Sequence, residues 1–238
     1  MISLGSFFNR DSAPLLGIDV SSSSVKLVEL GRNRSGDLVL ERCAIEPLER
    51  GWITDGNIEK FDEVADAIRR VVRKSGSKTK NVALALPASA VITKKIVLPG
   101  GLTEKELEAQ VESEANQYIP FSLDEVSLDF CVIGPSSNSA GDAEVLIAAS
   151  RKEKVSDRQG LAEAAGLKPV IMDVEPFASR MAAGRVIETL PNQGVDSLVA
   201  LFEVGALTTS MQVMRNDGSG CHPGAAPGHD RRHGPRGR

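Results

Sequence analysis

Asp19, a run of four serines (Ser21, Ser22, Ser23 and Ser24) and Lys26 stand together in GIDVSSSSVK. These residue types at this spacing suit anion chemistry. Small residues let backbone N–H groups approach a phosphate closely, and a cluster of such groups makes an anion cradle. A carboxylate beside the cradle suits a hydrated Mg²⁺, which prefers oxygen ligands and keeps several waters, so Asp19 is the candidate metal ligand. Lys26 adds a point charge. The competing reading is an ordinary hairpin with a serine-rich loop, and a short motif by itself does not separate the two. The pattern recurs late in the chain. EVGALTTS places Glu203 before a turn of small and hydroxyl residues, with Gly205, Ala206, Thr208 and Thr209 as the candidate anion-binding positions. Between the two lies Glu175 in MDVEPFASRMAAG, an acidic residue and proline leading into a run of small residues.

The elements that must position these groups follow from the hydrophobic pattern. Residues 15–20 and 25–30 read as strands around the serine turn, and residues 38–45 as a third, giving an antiparallel meander. Residues 51–57 read as a loop. Phe61, Val64, Ala65, Ile68, Val71 and Val72 fall at helical spacing, and Gly76 stops that helix. A buried strand follows at 81–86. Pro87 opens a change of character. Strand 91–98 leads to a capping box, Thr103 with Glu106, and a helix from Glu104. Leu107, Val111, Ala115 and Tyr118 line one face of this helix, and its acidic remainder reads as a solvated face. Strands at 125–133 and 143–149 and a helix at 151–165 complete a β–α–β–β–α module. The chain then returns through a strand at 168–174, a helix at 177–190, a linker at 191–196 and strands at 197–204 and 208–214.

Composition bounds the reading. The chain has 238 residues, 41% hydrophobic but only 4% aromatic, so its cores rest on Val, Leu, Ile and Ala. A net charge of −4 gives no reason to propose nucleic acid as a partner. No apolar run reaches the length of a membrane span, and the start lacks the pattern of a signal peptide. Cys43, Cys131 and Cys221 are few, odd in number and scattered, a cytosolic pattern. Residues 217–238 hold all three histidines and no Val, Ile, Leu, Met or aromatic residue. Such a segment cannot offset its ordering entropy, so it reads as a disordered, out-of-frame tail. Cys221 with His222, His229 and His233 matches no usual zinc spacing.

Two such hairpins with an acidic connector between them resemble the actin-like ATPases, the superfamily of actin, sugar kinases and Hsp70. The stretches LLGIDVSSSSVKLVEL, ASAVITKKIVLPGGLTEKELEAQVESEANQYIPFSLDEVSLDF and VLIAASRKEKV further resemble the PilM family of type IV pilus assembly proteins. The resemblance implies an α/β, actin-like (ribonuclease H-like) fold. Residues 1–87 and 167–195 would form subdomain 1A, and 88–166 an inserted α+β SHS2-like 1C subdomain, shared with the cell-division protein FtsA. Residues 196–216 would begin domain 2A, and 217–238 would be the aberrant tail. It also implies ATP and Mg²⁺ as ligands, with Glu175 placing the catalytic water or the Mg²⁺. The implied partner is the N-terminal cytoplasmic tail of the inner-membrane protein PilN, held between 1A and 1C. Through PilN the protein would sit at the inner face of the inner membrane with the pilus alignment complex, without entering the bilayer. Glu203 replaces the usual aspartate of the second loop, Leu207 replaces a threonine, and the resemblance ends near Asn216. Weak ATP binding, little or no turnover and a sticky, partly unfolded stretch from Ser197 are therefore expected. The alternatives are an FtsA-like filament protein and an active ATPase or kinase of the superfamily.

Overall fold

The period-two pattern at the start of the chain builds the meander. In the computed structural model, which describes residues 14–216, β1 (Leu16–Val20), β2 (Ser24–Arg32) and β3 (Leu38–Pro47) pair antiparallel in succession. Leu16, Ile18 and Val20 of β1 and Val25 and Leu27 of β2 are buried together on one face. Where a loop is expected, a small hairpin forms instead, β4 (Ile53–Thr54) with β5 (Asn57–Ile58). Its turn is Asp55–Gly56, both left-handed, with φ of 50° and 81°. Asp-Gly favours this two-residue turn because both central positions need positive φ.

Helix α1 (Phe61–Ser75) covers the buried face of the meander with Val64, Ala65, Ala67, Ile68 and Val71. Its end is capped by Gly76 in the left-handed conformation, where glycine carries no Cβ penalty. Phe61, expected in the buried stripe, is 39% exposed and lies against Gly160 instead. β6 (Asn81–Leu86) then pairs parallel with β1.

The inserted unit comprises β7 (Val91–Pro99), α2 (Glu104–Tyr118), β8 (Val126–Pro135) and β9 (Asp142–Arg151). Its sheet has the order β7–β9–β8 and its own core, in which Ile96, Leu98, Val111, Ala115 and Val145 meet. The capping box at α2 is formed in both directions. The Thr103 N–H donates to Glu106 Oε2 at 2.8 Å, and the Glu106 N–H to Thr103 Oγ1 at 3.4 Å. The Thr103 hydroxyl, which donates to Glu106 Oε2 at 2.7 Å, and after it the Thr103 N–H hold the Glu106 carboxyl below its ordinary range.

Helix α3 (Lys152–Ala164) corrects the expected module. Its buried Leu161 and Ala162 join the core of the first sheet, beside Val64 and Ile68 of α1, not that of the inserted unit. The insertion therefore returns at Arg151, not at Gly166. The physical reason is packing: the apolar stripe of α3 finds its complement on α1 and β6. β10 (Lys168–Val174) completes a five-stranded sheet of order β10–β6–β1–β2–β3, parallel to β6. Helix α4 (Glu175–Ile187) follows without a loop. The linker after it places Asn192, Gln193 and Asp196 at positive φ before the last hairpin.

That hairpin, β11 (Ser197–Val204) and β12 (Thr209–Asn216), pairs in unbroken register. The partly unfolded stretch expected from Ser197 is thus a formed two-stranded sheet. The expected exposure is present all the same: Leu198, Phe202, Val204, Met211 and Val213 are each at least 60% exposed. The tail at 217–238, with Cys221 and the three histidines, lies outside the described residues. Among the described residues no helix is long and apolar enough to cross a membrane.

Candidate functional site

The serine turn is closed from within. The Ser21 N–H donates to the Ser24 carbonyl at 3.0 Å, and Ser21 Oγ donates to the same oxygen at 3.0 Å. The Leu48 N–H, just past β3, donates to the Ser23 carbonyl at 2.9 Å and pins the turn from below. The amides of Ser22 and Ser23 have no protein acceptor among the described residues. Adjacent unpaired N–H groups in a turn are the donor set of an anion cradle. Asp19 and Lys26 are register partners one pair below the turn. Lys26 Nζ lies 2.6 Å from Asp19 Oδ2 and 3.3 Å from Ser21 Oγ. Both side chains are about half exposed, so the pair is screened by solvent and open to exchange for another partner.

The second hairpin repeats the first. Val204 and Thr209 form its last pair, as Val20 and Val25 do in the first, so each turn has four residues. The Gly205 N–H donates to the Thr208 carbonyl at 2.9 Å, the counterpart of the Ser21–Ser24 bond. A Cβ on Gly205 would stand 2.9 Å from that carbonyl oxygen, so the close approach requires glycine. Ala206 and Leu207 leave their amides without a protein acceptor among the described residues. Glu203 occupies the place of Asp19, but its register partner is Ser210, not a lysine. Three donors hold its carboxylate: Ser179 Oγ of α4 at 2.5 Å, Ser210 Oγ at 3.0 Å and Gln212 Nε2 at 3.4 Å.

Glu175 opens α4, directly after β10. Burial pushes its carboxyl above the ordinary range, and the Asp19 and Glu203 carboxylates push it the same way. Arg158 and Lys26 oppose them. The candidates read from the sequence are thus brought into one electrostatic neighbourhood, with Asp19 and Lys26 from the first hairpin, Glu203 from the second, and Glu175 between. Asp173, two residues earlier, is also raised by burial, against a bond from the Val174 N–H at 2.7 Å.

One residue of the neighbourhood was not anticipated. Arg158 of α3 is 3% exposed, and its guanidinium donates to the Val20 carbonyl at 3.2 Å and the Gly56 carbonyl at 3.3 Å. A signal existed. Arg158 stands three residues before Leu161 and four before Ala162, on the stripe of α3 that faces the core. An arginine at an apolar position is the informative exception to a buried face.

The donor set fits a phosphate chain: two turns with open amides, serine and threonine hydroxyls, and one lysine. For a cation the fit is narrower. Among the described residues no three His, Cys, Asp or Glu side chains are grouped to hold a metal ion. Mg²⁺ bound to phosphates needs only one or two carboxylates and completes its shell with water, which Asp19 satisfies.

Comparison with known proteins agrees with this architecture. A family model for the type IV pilus assembly protein PilM matches residues 17–220. Among solved structures, the chain is similar to a PilM–PilN type IV pilus biogenesis complex, with a TM-score of 0.74 and 31% identity over 85% of this chain. It spans 58% of that relative's length. Weaker similarity extends to the cytoplasmic domain of EpsL, an inner-membrane component of the type II secretion system of Vibrio cholerae. That match has a TM-score of 0.44 and 14% identity over 70% of this chain and 59% of that one. The ethanolamine utilization protein EutJ from Carboxydothermus hydrogenoformans matches with a TM-score of 0.43 and 14% identity, over 85% of this chain and 47% of that one.

Proposed function

We propose, from the premise that this chain belongs to the PilM family of type IV pilus assembly proteins and has its actin-like α/β fold, that it is a nucleotide-binding adaptor. Its partner is the N-terminal cytoplasmic tail of PilN. The observation that carries this reading is the similarity, at 31% identity over 85% of the chain, to a PilM solved with PilN. The five-stranded sheet with α1 and α3 corresponds to subdomain 1A, the unit from β7 to β9 to the SHS2-like 1C, and the last hairpin to the start of domain 2A. The tail lies between 1A and 1C. The adaptor works in the cytoplasm, at the inner face of the inner membrane, where PilN connects it to the pilus alignment complex.

The nucleotide is ATP, its phosphates held between the two turns. Ser21, Ser22, Ser23, Ser24 and Lys26 hold one side; Gly205, Ala206, Thr208 and Thr209 hold the other. Asp19 would hold Mg²⁺, and Glu175 would orient a water. When bound, the Mg²⁺ neutralises phosphate charge. Lys26 exchanges Asp19 for a phosphate oxygen, and the open amides donate to the anion. Glu203 is held by Ser179, Ser210 and Gln212, so its carboxylate is engaged as a structural acceptor and offers little for turnover. The adaptor reading needs no hydrolysis.

Titration of the full chain into a fluorescently labelled PilN N-terminal peptide, read by anisotropy, tests the reading. Saturable binding that a scrambled peptide does not compete is expected. No binding by protein with an intact far-ultraviolet circular dichroism spectrum would overturn it.

A further inference from the structure

We propose that Arg158 is the positioning residue of the first phosphate turn, bracing the end of β1 against the tip of the β4–β5 hairpin. The inference rests on the phosphate-clamp reading above and deepens it. Arg158 donates to Val20, the residue immediately before the serine turn, and to Gly56, at the left-handed tip of the small hairpin. The hairpin is a firm support. A Cβ at Gly56 would meet Pro87 Cγ at 3.0 Å and Ser89 Oγ at 3.3 Å, so its tip abuts the root of the inserted unit. A second tie from the same helix runs from Lys154 Nζ to Asn57 Oδ1 at 2.9 Å. The brace therefore runs from α3 to the turn on one side and to the hairpin on the other.

The choice of an arginine argues for more than filling space. Burying a guanidinium is costly, and a hydrophobic side chain of similar volume is often as stable or more so. Among the described residues no carboxylate lies within ion-pair distance of Arg158, and its described hydrogen bonds go to neutral carbonyls. The carboxylates that act on it from longer range are those of Glu175, Asp19 and Asp157. Two forked N–H groups reach two carbonyls at once, which a lysine cannot do with the same geometry. The fixed positive charge also acts on the Glu175 and Asp19 carboxylates.

Arg158→Met and Arg158→Lys in the full chain test this by two measurements. The first is amide hydrogen exchange. The hydrogen-bonded amides of Ser21 and Leu48 around the first turn and of Glu59 at the base of the small hairpin are expected to exchange at least tenfold faster in Arg158→Met, with β7, β8 and β9 unchanged. The second is MgATP affinity by calorimetry. A loss of at least tenfold is expected in Arg158→Met, with partial recovery in Arg158→Lys, which keeps the charge and loses the fork. Unchanged exchange of the Ser21 and Leu48 amides in both variants overturns the inference, as does unchanged affinity in Arg158→Met. If the wild-type chain binds no MgATP, the clamp reading fails on its own account, and exchange of the Ser21 and Leu48 amides decides the role of Arg158. If Arg158→Met fails to fold, Arg158→Lys carries the test, with faster exchange at both turns expected and wild-type exchange contradicting it.

Discussion

The first and last hairpins close the same four-residue turn with the same main-chain hydrogen bond, yet they sit on different foundations. β1 and β2 lie inside a five-stranded sheet, with Leu16, Val25 and Leu27 essentially inaccessible to solvent. Among the described residues β11 and β12 pair only with each other and leave Leu198, Phe202 and Val213 exposed. The turn itself is thus a local product of register and small residues. What differs is tertiary. Leu48 and Arg158 hold the first turn from outside the hairpin, while the second is tied to the body through Ser179 and Glu203. The charges differ as well. Asp19 faces a lysine, whereas Glu203 faces a serine. One hairpin carries a lysine beside its turn, and the other a serine at the matching position.

Stability should separate them most. Leu27→Ala is expected to cost about 2–5 kcal/mol in urea unfolding, because it removes a buried side chain and leaves a cavity. Phe202→Ala should change stability by no more than about 0.5 kcal/mol, as exposed positions do. Equal costs would mean that the second hairpin is as well packed as the first. Next, Lys26→Ala should weaken MgATP binding about tenfold, or about 1.4 kcal/mol, with unfolding free energy altered by less than about 1 kcal/mol. Ser210→Ala, at the matching position, should weaken it much less; similar losses would erase the charge asymmetry. Gly205→Ala forces its Cβ against the Thr208 carbonyl and should destabilise the second turn by about 1 kcal/mol. Ser22→Ala in the first turn should be near neutral, with hydrogen exchange of the bonded turn amides at positions 205 and 21 as the readout.

The smallest expected effect concerns Glu175. Its carboxyl is raised by burial and by Asp19 and Glu203 above its ordinary value near 4.5. A raised carboxyl favours the folded state when protonated, so its contribution is full below the ordinary value and falls as pH rises through the raised one. Glu175→Gln should therefore raise the melting temperature at pH 7, and the gain should vanish at pH 3. A gain that persists at pH 3 would assign it to packing, not to charge.

The sequence speaks clearly where local chemistry decides. Alternating apolar residues define β1, β2 and β3, and Thr103 with Glu106 marks the start of α2. The candidate residues are also local: Asp19 and Lys26 become register partners because four serines set the turn between them. Asp55–Gly56 carried a hairpin signal, but only two residues flank it on each side in strand form, too few to show alternation. The destination of α3 could not be read, because an apolar stripe names a buried face and not the partner that buries it. Arg158 was hard to read for a related reason: in KEKVSDRQG it looks like one more charge on a solvated helix, and only its spacing from Leu161 and Ala162 marks the buried face. The parallel pairing of β1, β6 and β10 joins segments too far apart in the chain for spacing to reveal.

Amide resonances of the full chain titrated with MgATP test the central claim most directly. The account predicts that residues 21–24 and 205–208 shift together, saturably and with one affinity, while the strands of the inserted unit stay in place. Shifts confined to one turn, or absent from both while the protein remains folded, would contradict a clamp formed by the two hairpins.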